Sequence, residues 1–292
     1  MEGIRLESSY TWAAARGAGV TRRQIAEDGR RLGVGLYLSR SAEPTLVERC
    51  RAWAGVLPPD AAFAGTTAAV LLGAPLAGPR RLQVAMTPRP VLPARRELVV
   101  HSRTMTPEDV VEHRGLRVTS GAQTFLDLAA ALAPQELVAV GDALVRAGHL
   151  DGKRLSRRLT RADRTRGVVR ARACAPLLDP RAASRPESLM RYWLVASDLP
   201  DPEPQVPVLD RWGREVAHGD LGYSRWKVLL EYEGRQHAEP EQFGRDVDRY
   251  SLMGAGGWLV LRFAGRHLVG PHAIVDRTRG ALLSRGWRPQ AG

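Results

Sequence analysis

Lysine is almost missing from this chain: of 43 basic residues only Lys153 and Lys227 are lysines, so a formal charge of +12 rests on arginine. There are two cysteines, Cys50 and Cys174, with no Cys or His at ligand spacing, which excludes a disulfide framework and a zinc site. No apolar run approaches the ~18 residues of a membrane span. The opening MEGIRLESSY lacks the apolar stretch of an export signal, and neither end carries an amphipathic basic segment. The expectation is a cytoplasmic protein with no membrane partner. What is present is positive charge, with a pI of 10.8, and that balance favours a polyanion such as nucleic acid; the other reading is a coding preference for arginine with its charge merely spread over the surface.

The 292 residues suffice for two or three cores, and composition shifts divide them into 1–54, 55–180 and 181–292. In the first segment Ser9 is expected to cap a helix through Arg16, and Gly17 and Gly19 to break it. TRRQIAED then forms a second short helix, and Val34, Leu36 and Leu38 alternate as a strand would. Helix, turn, helix and strand is the order of a compact winged helix-turn-helix. The stretch from Val20 to Arg40, followed by ERCRAWAGVLPP, resembles the N-terminal domain of AbiEi-type antitoxins of type IV toxin-antitoxin systems. That resemblance implies DNA contact through Arg22, Arg23, Arg30 and Arg31, and a possible toxin partner. The other reading is a helical scaffold with solvated arginines.

Residues 55–180 read as a mixed α/β region. Helices lie on both sides of Leu57-Pro58-Pro59, strands at 82–86, 97–101 and 116–118, and apolar helices from Ser120 and Pro134. The middle region resembles the body that follows the winged helix in AbiEi-like proteins, and none of its residues reads as catalytic. Residues 151–174 carry nine basic residues against two aspartates, either a track for phosphates or a solvated linker helix.

In the last segment Ser184-Arg185-Pro186-Glu187 fits a capping box opening a helix, which by itself explains Glu187. From Trp226 the chain alternates, with Val228, Leu230 and Tyr232 on one face and Lys227, Leu229, Glu231 and Glu233 on the other. A hairpin centred on residues 224 and 225 would set Asp220 opposite Leu229 and make Glu231 its diagonal neighbour, near enough for two carboxylates to share Mg²⁺ or Mn²⁺. A solvated sheet face with weak surface pairs is the alternative. A helix from about 241 to 255 and a strand at 258–263 complete a crossover that places the last strand parallel to 226–233.

Taken together, Glu187, Asp220, the run Glu231-Tyr232-Glu233-Gly234, His237 and the strand Gly257 to Phe263 resemble the Vsr-like endonuclease domain of the PD-(D/E)xK superfamily. The resemblance implies an α/β restriction-endonuclease-like domain with an αβββαβ core. Asp220 and Glu231 would hold Mg²⁺ (or Mn²⁺), Glu187 would orient a metal-bound water, His237 would handle a proton, Glu233 would add a contact behind the metal ligands, and Arg245 and Arg249 would face the substrate backbone. The superfamily lysine would fall at 233, where this chain has Glu233. The chain as a whole is thus expected to be an α+β N-terminal region followed by an α/β domain that hydrolyses DNA. The alternative is a non-catalytic DNA-binding regulator or antitoxin-like protein with a degenerate nuclease fold.

Overall fold

The structure is a computed structural model that describes residues 8–234 and 240–289, with the backbone alone for 240–246. It opens on a small three-stranded sheet. β1 (Ser9–Thr11) pairs with β3 (Leu36–Ser39), and β3 with β2 (Gly29–Gly33), giving the order β1-β3-β2. Between β1 and β2 lie α1 (Trp12–Gly17) and α2 (Arg22–Asp28). The expected helix from Ser9 starts later, because residues 9–11 pair with β3 and Thr11 becomes the cap, accepting the Ala14 amide. Thr21 and Gln24 form a capping box on α2. The expected single strand at 34–38 is a hairpin instead: Val34 is 67% exposed at its tip and Gly35 has φ +70°. Tyr10, Ala15, Val20 and Ile25 form the core of this module, and Asp28 locks it by accepting from the Tyr10 hydroxyl (2.9 Å) and the Ser39 hydroxyl (2.8 Å).

After α3 (Leu46–Ala54) comes a five-stranded sheet of order β6-β5-β4-β8-β7. Its strands are β4 (Ala62–Phe63), β5 (Leu82–Met86), β6 (Leu98–Ser102), β7 (Val110–His113) and β8 (Leu116–Thr119), with α4 (Gly65–Leu71) between β4 and β5. The two-residue β4 is too short to leave an alternation in the sequence. Ser120 caps α5 (Gly121–Ala129), almost wholly buried. The next helix, α6 (Pro134–Arg146), leaves this body for another. The chain then returns with α7 (Gly152–Thr160), which buries Leu155 and Leu159, exposes Lys153, Arg154 and Arg157 and holds Arg158 inward against Asp109, and runs on into α8 (Val168–Cys174).

The chain forms two compact units, Met1–Ala131 with Ala147–Ala171, and Leu132–Arg146 with Arg172–Gly292. These cut it differently from the segments 1–54, 55–180 and 181–292, since α6 belongs with the C-terminal elements. The second unit continues with α9 (Arg185–Val195), β9 (Glu203–Leu209), β10 (Glu215–Tyr223), β11 (Val228–Glu233), α10 (Pro240–Ala255), β12 (Leu259–Ala264) and α11 (His272–Ser284). Its sheet runs β12-β11-β10-β9, antiparallel except for the β11–β12 pair, which is parallel with Val228 opposite Leu259. Leu221, Val228 and Leu230 pack with Leu189, Met190 and Leu194 of α9, while Leu229 packs with Val206, Val208 and Met253. Both faces of β11 are therefore covered.

The tie between α6 and α9 is polar. Asp142 is 0% exposed and accepts from Arg191 Nη2 (2.9 Å), the Ser188 hydroxyl (2.7 Å) and the Asp179 amide (2.7 Å). Burial still pushes its pKa above the usual carboxylate range. Removing one partner of a buried pair strands the other, so Asp142→Ala is expected to destabilise the chain by about 3–5 kcal/mol in urea denaturation. The double change Asp142→Leu with Arg191→Met is expected to cost less than the sum of its single changes, because it leaves no buried charge behind.

Candidate functional site

The acidic residues marked in the sequence come from three elements of the second unit. At the start of α9 the Ser184 hydroxyl accepts the Glu187 amide (3.4 Å), as a cap should. The Glu187 carboxylate, however, reaches Ala183, whose amide donates to Oε2 at 2.8 Å, and the Gln205 side-chain amide donates to the same oxygen at 3.0 Å. Glu187 is buried, and that burial pushes its pKa up against the pull of these bonds, with Asp220 adding to the rise.

Asp220 sits where the β10–β11 ladder ends. Backbone pairing runs Tyr223 with Val228, Gly222 with Leu229 and Leu221 with Leu230. One residue further, Asp220 Oδ2 accepts the Tyr232 amide at 2.7 Å. The register differs from the expectation that Asp220 opposes Leu229. The hairpin loop is longer than a turn centred on 224 and 225, taking in Ser224–Trp226 as a helical turn and Lys227 in the left-handed region at φ +51°. Burial raises Asp220 as well, opposed by the Tyr232 amide.

Glu231 is the most constrained of the set. It is 2% exposed, and one carboxylate oxygen is bonded by the Arg249 guanidinium from α10. The other oxygen, Oε1, is buried without a hydrogen-bond partner among the described residues. Gly219 makes this possible: a Cβ there would stand 2.6 Å from Leu229 Cδ2 and 3.3 Å from Oε1. Burial first, and Asp220 second, push Glu231 up to about 7, with Arg249 pulling the other way. This carboxyl can therefore hold a proton near neutral pH.

Glu233 belongs to a different set of contacts. Arg262 Nε donates to it at 2.8 Å and the Tyr250 hydroxyl donates to the same oxygen. These bonds outweigh its partial burial and hold its pKa below the usual value. Lys227 is spent on the Gly256 carbonyl (2.8 Å). His237 and the side chain of Arg245 lie outside the described residues.

Asp220 thus lies in the field of both Glu187 and Glu231, and burial makes each of the three costly to ionise. Asp220 and Glu231 have the donor chemistry of a hard divalent cation, and Oε1 is an acceptor left unfilled. Among the described residues, though, no group of three or more His, Cys, Asp or Glu side chains converges as a metal site. Arg249, marked in the sequence for substrate contact, serves here as the counter-charge of Glu231 and also donates to the His218 carbonyl (3.2 Å). Gln205 and Gly219 escaped the sequence reading. Gln205 has φ +52°, a rare backbone for a non-glycine residue, in the strand beside Glu187. The signal available was a lone polar residue between Pro204 and Pro207.

The arginines of the N-terminal module are arranged differently. Arg22 and Arg23 are exposed on the first turn of α2, Arg23 pairing with Glu27 at 2.7 Å. Arg30 and Arg31, exposed neighbours on β2, project from opposite faces of that strand. In the basic stretch after residue 150, Arg158 and Arg161 are held by Asp109, whereas Lys153 and Arg157 are exposed.

Glu231→Gln tests the strained carboxyl. A raised folded-state pKa means that the native state binds the proton the unfolded chain has already released. Wild-type stability should therefore fall as pH rises from the unfolded value of 4.5 to about 7. The neutral variant lacks that loss, so its advantage over wild type should grow by on the order of 3 kcal/mol across the window, read by urea denaturation at pH 5 and pH 8.

Residues 60–179 match the AbiEi antitoxin C-terminal domain family. Two uncharacterized proteins, from two strains of Mycobacterium tuberculosis, are each 29% identical to this chain over 165 residues, which is 56% of this chain and 60% of theirs. The chain thus spans about 60% of the length of the curated relatives it matches. The matched residues hold the five-stranded sheet together with α4 to α8, and this part of the protein is an AbiEi-like region.

Proposed function

We propose that this protein is a DNA-binding regulator of the antitoxin type. The match of residues 60–179 to the AbiEi antitoxin C-terminal domain carries the reading. The N-terminal module supports it: strand, two helices and a hairpin with sheet order β1-β3-β2 is compatible with a winged helix, in which α2 would be the helix offered to DNA and the β2–β3 hairpin the wing. Exposed Arg22, Arg23, Arg30 and Arg31 would meet phosphates. A cognate toxin is the protein partner this reading implies. With only seven residues in α2, base reading is limited and electrostatics dominate the affinity.

A second reading, a metal-dependent nuclease in the C-terminal unit, is favoured by one observation, the unfilled Oε1 of Glu231 beside two further strained carboxyls. Asp220 and Glu231 would hold the divalent ion, which supplies Lewis-acid polarisation of a phosphoryl oxygen when bound. Arg249 must leave Glu231 for that site to fill.

For the regulator, binding of a duplex from the protein's own upstream region, followed by fluorescence anisotropy, should weaken steeply with salt, with a log–log slope near 0.9 per phosphate neutralised. Arg30→Ala with Arg31→Ala should lower that slope by about 2. Affinity indifferent to salt, or an unchanged slope in the double variant, would sink the reading. For the nuclease, plasmid nicking with Mg²⁺ or Mn²⁺ should be lost in Asp220→Asn, and either ion should raise the wild-type melting temperature. The absence of both effects in wild type removes that reading and leaves the regulator standing.

A further inference from the structure

A cavity of about 300 Å³ lies in the first unit, within the AbiEi-like region. Four arginines line it, Arg154, Arg157, Arg158 and Arg161, against two acidic residues, Glu108 and Asp109. Asp109, itself buried, fixes two of the arginines by ion pairs of 3.2 Å each to Arg158 and Arg161. Arg161 also reaches Thr106 Oγ1 (3.0 Å) and Glu108 (3.3 Å), and Arg158 Nε reaches Gln123 Oε1 (2.6 Å). Arg154 pairs with Asp151 at 3.3 Å, while exposed Arg157 has no carboxylate partner among the described residues. Among the side chains lining the cavity four arginines stand against two carboxylates, and the buried Asp109 cancels one positive charge while fixing two guanidiniums in place.

Two further features suit an anion. The first turn of α5, with Ser120 and Ala122, lines the cavity and brings the positive end of a nine-residue helix to it. Burial above all holds Arg158 below the ordinary arginine value, with Arg161 and Arg103 crowding it and Asp109 and Asp127 relieving it, so an added anion would lower the cost of keeping that charge inside. Pro107, Val110 and Val111 give the cavity apolar wall as well, and its volume falls at the lower end of small-molecule sites.

We propose that this cavity is a phosphoryl-anion site, taking the diphosphate of a nucleotide or a backbone phosphate of nucleic acid. The guanidiniums supply the charge-assisted donors and the α5 turn the backbone dipole. The site lies apart from the arginines of α2 and β2, so it does not depend on the regulator reading.

The test uses the full chain, as wild type, Arg157→Ala and Lys153→Ala, titrated with pyrophosphate, with ADP and with a duplex oligonucleotide by calorimetry. Lys153 is exposed on the same helix but does not line the cavity, so its variant removes an equal charge from the same helix. The expected result is binding of pyrophosphate and ADP by wild type, weakened about tenfold in Arg157→Ala and little changed in Lys153→Ala. If pyrophosphate and ADP do not bind but duplex affinity falls in Arg157→Ala and not in Lys153→Ala, the site stands and its phosphate comes from nucleic acid. If no anion separates Arg157→Ala from Lys153→Ala, the proposal is overturned.

Discussion

A carboxylate taken out of water must find strong donors or give up its charge, and in this protein the donor is repeatedly a guanidinium. Asp142 is met by Arg191, Glu231 by Arg249, Asp109 by Arg158 and Arg161, and Asp127 by Arg103. Lysine could not take these places as readily, since a planar fork presents several donors in fixed directions and tolerates desolvation better than an ammonium. The arginine richness of the chain, which from composition alone reads as attraction to polyanions, is thus partly spent inside the fold. Those internal pairs are already cancelled within the net +12, and the surplus positive charge is carried by exposed arginines in both units, Arg30, Arg157, Arg225 and Arg277 among them.

The same constraint shapes the two candidate sites in opposite ways. Around Glu231 the guanidinium satisfies one carboxylate oxygen and leaves the other without a donor, so the site is short of positive charge. Around Asp109 one carboxylate is shared by two guanidiniums, so the cavity has positive charge to spare. Each is a place where buried electrostatics are incomplete, and incompleteness of that kind is more characteristic of a binding site than of a structural pair. In both, a glycine or a helix start supplies the room or the dipole: Gly219 at Glu231, and the first turn of α5 at the arginine cavity.

Much of the second unit was legible before the structure. The alternation of Val228, Leu230 and Tyr232 marks a strand because period two is what a pleated strand requires. The intervening helix length makes the partner strand at 259–264 parallel, as a crossover must. The register of the hairpin was not legible, because it depends on Lys227 entering a left-handed conformation, and no glycine marks that position. In the N-terminal module Thr21, with Glu27 nearby, marks the start of the second helix, and the structure adds Gln24 as the other half of its cap, whereas β1 has three residues, too few to show a period.

The sequence by itself determined the elements and the inventory of chemistry: where helices are capped, which strands alternate, which acids lie on strands and how little lysine there is to serve them. Those are local properties, decided by neighbours within a turn or a hairpin. Only the tertiary structure decided which charges meet. Arg249 lies 18 residues from Glu231, Arg191 lies 49 from Asp142, and Arg161 lies 52 from Asp109. It also decided that α6, written among the elements of the first unit, packs with α9 in the second. Pairings at such separations carry no periodic signature in the chain, because they are chosen by burial and by the cost of leaving a charge alone in a low-dielectric interior.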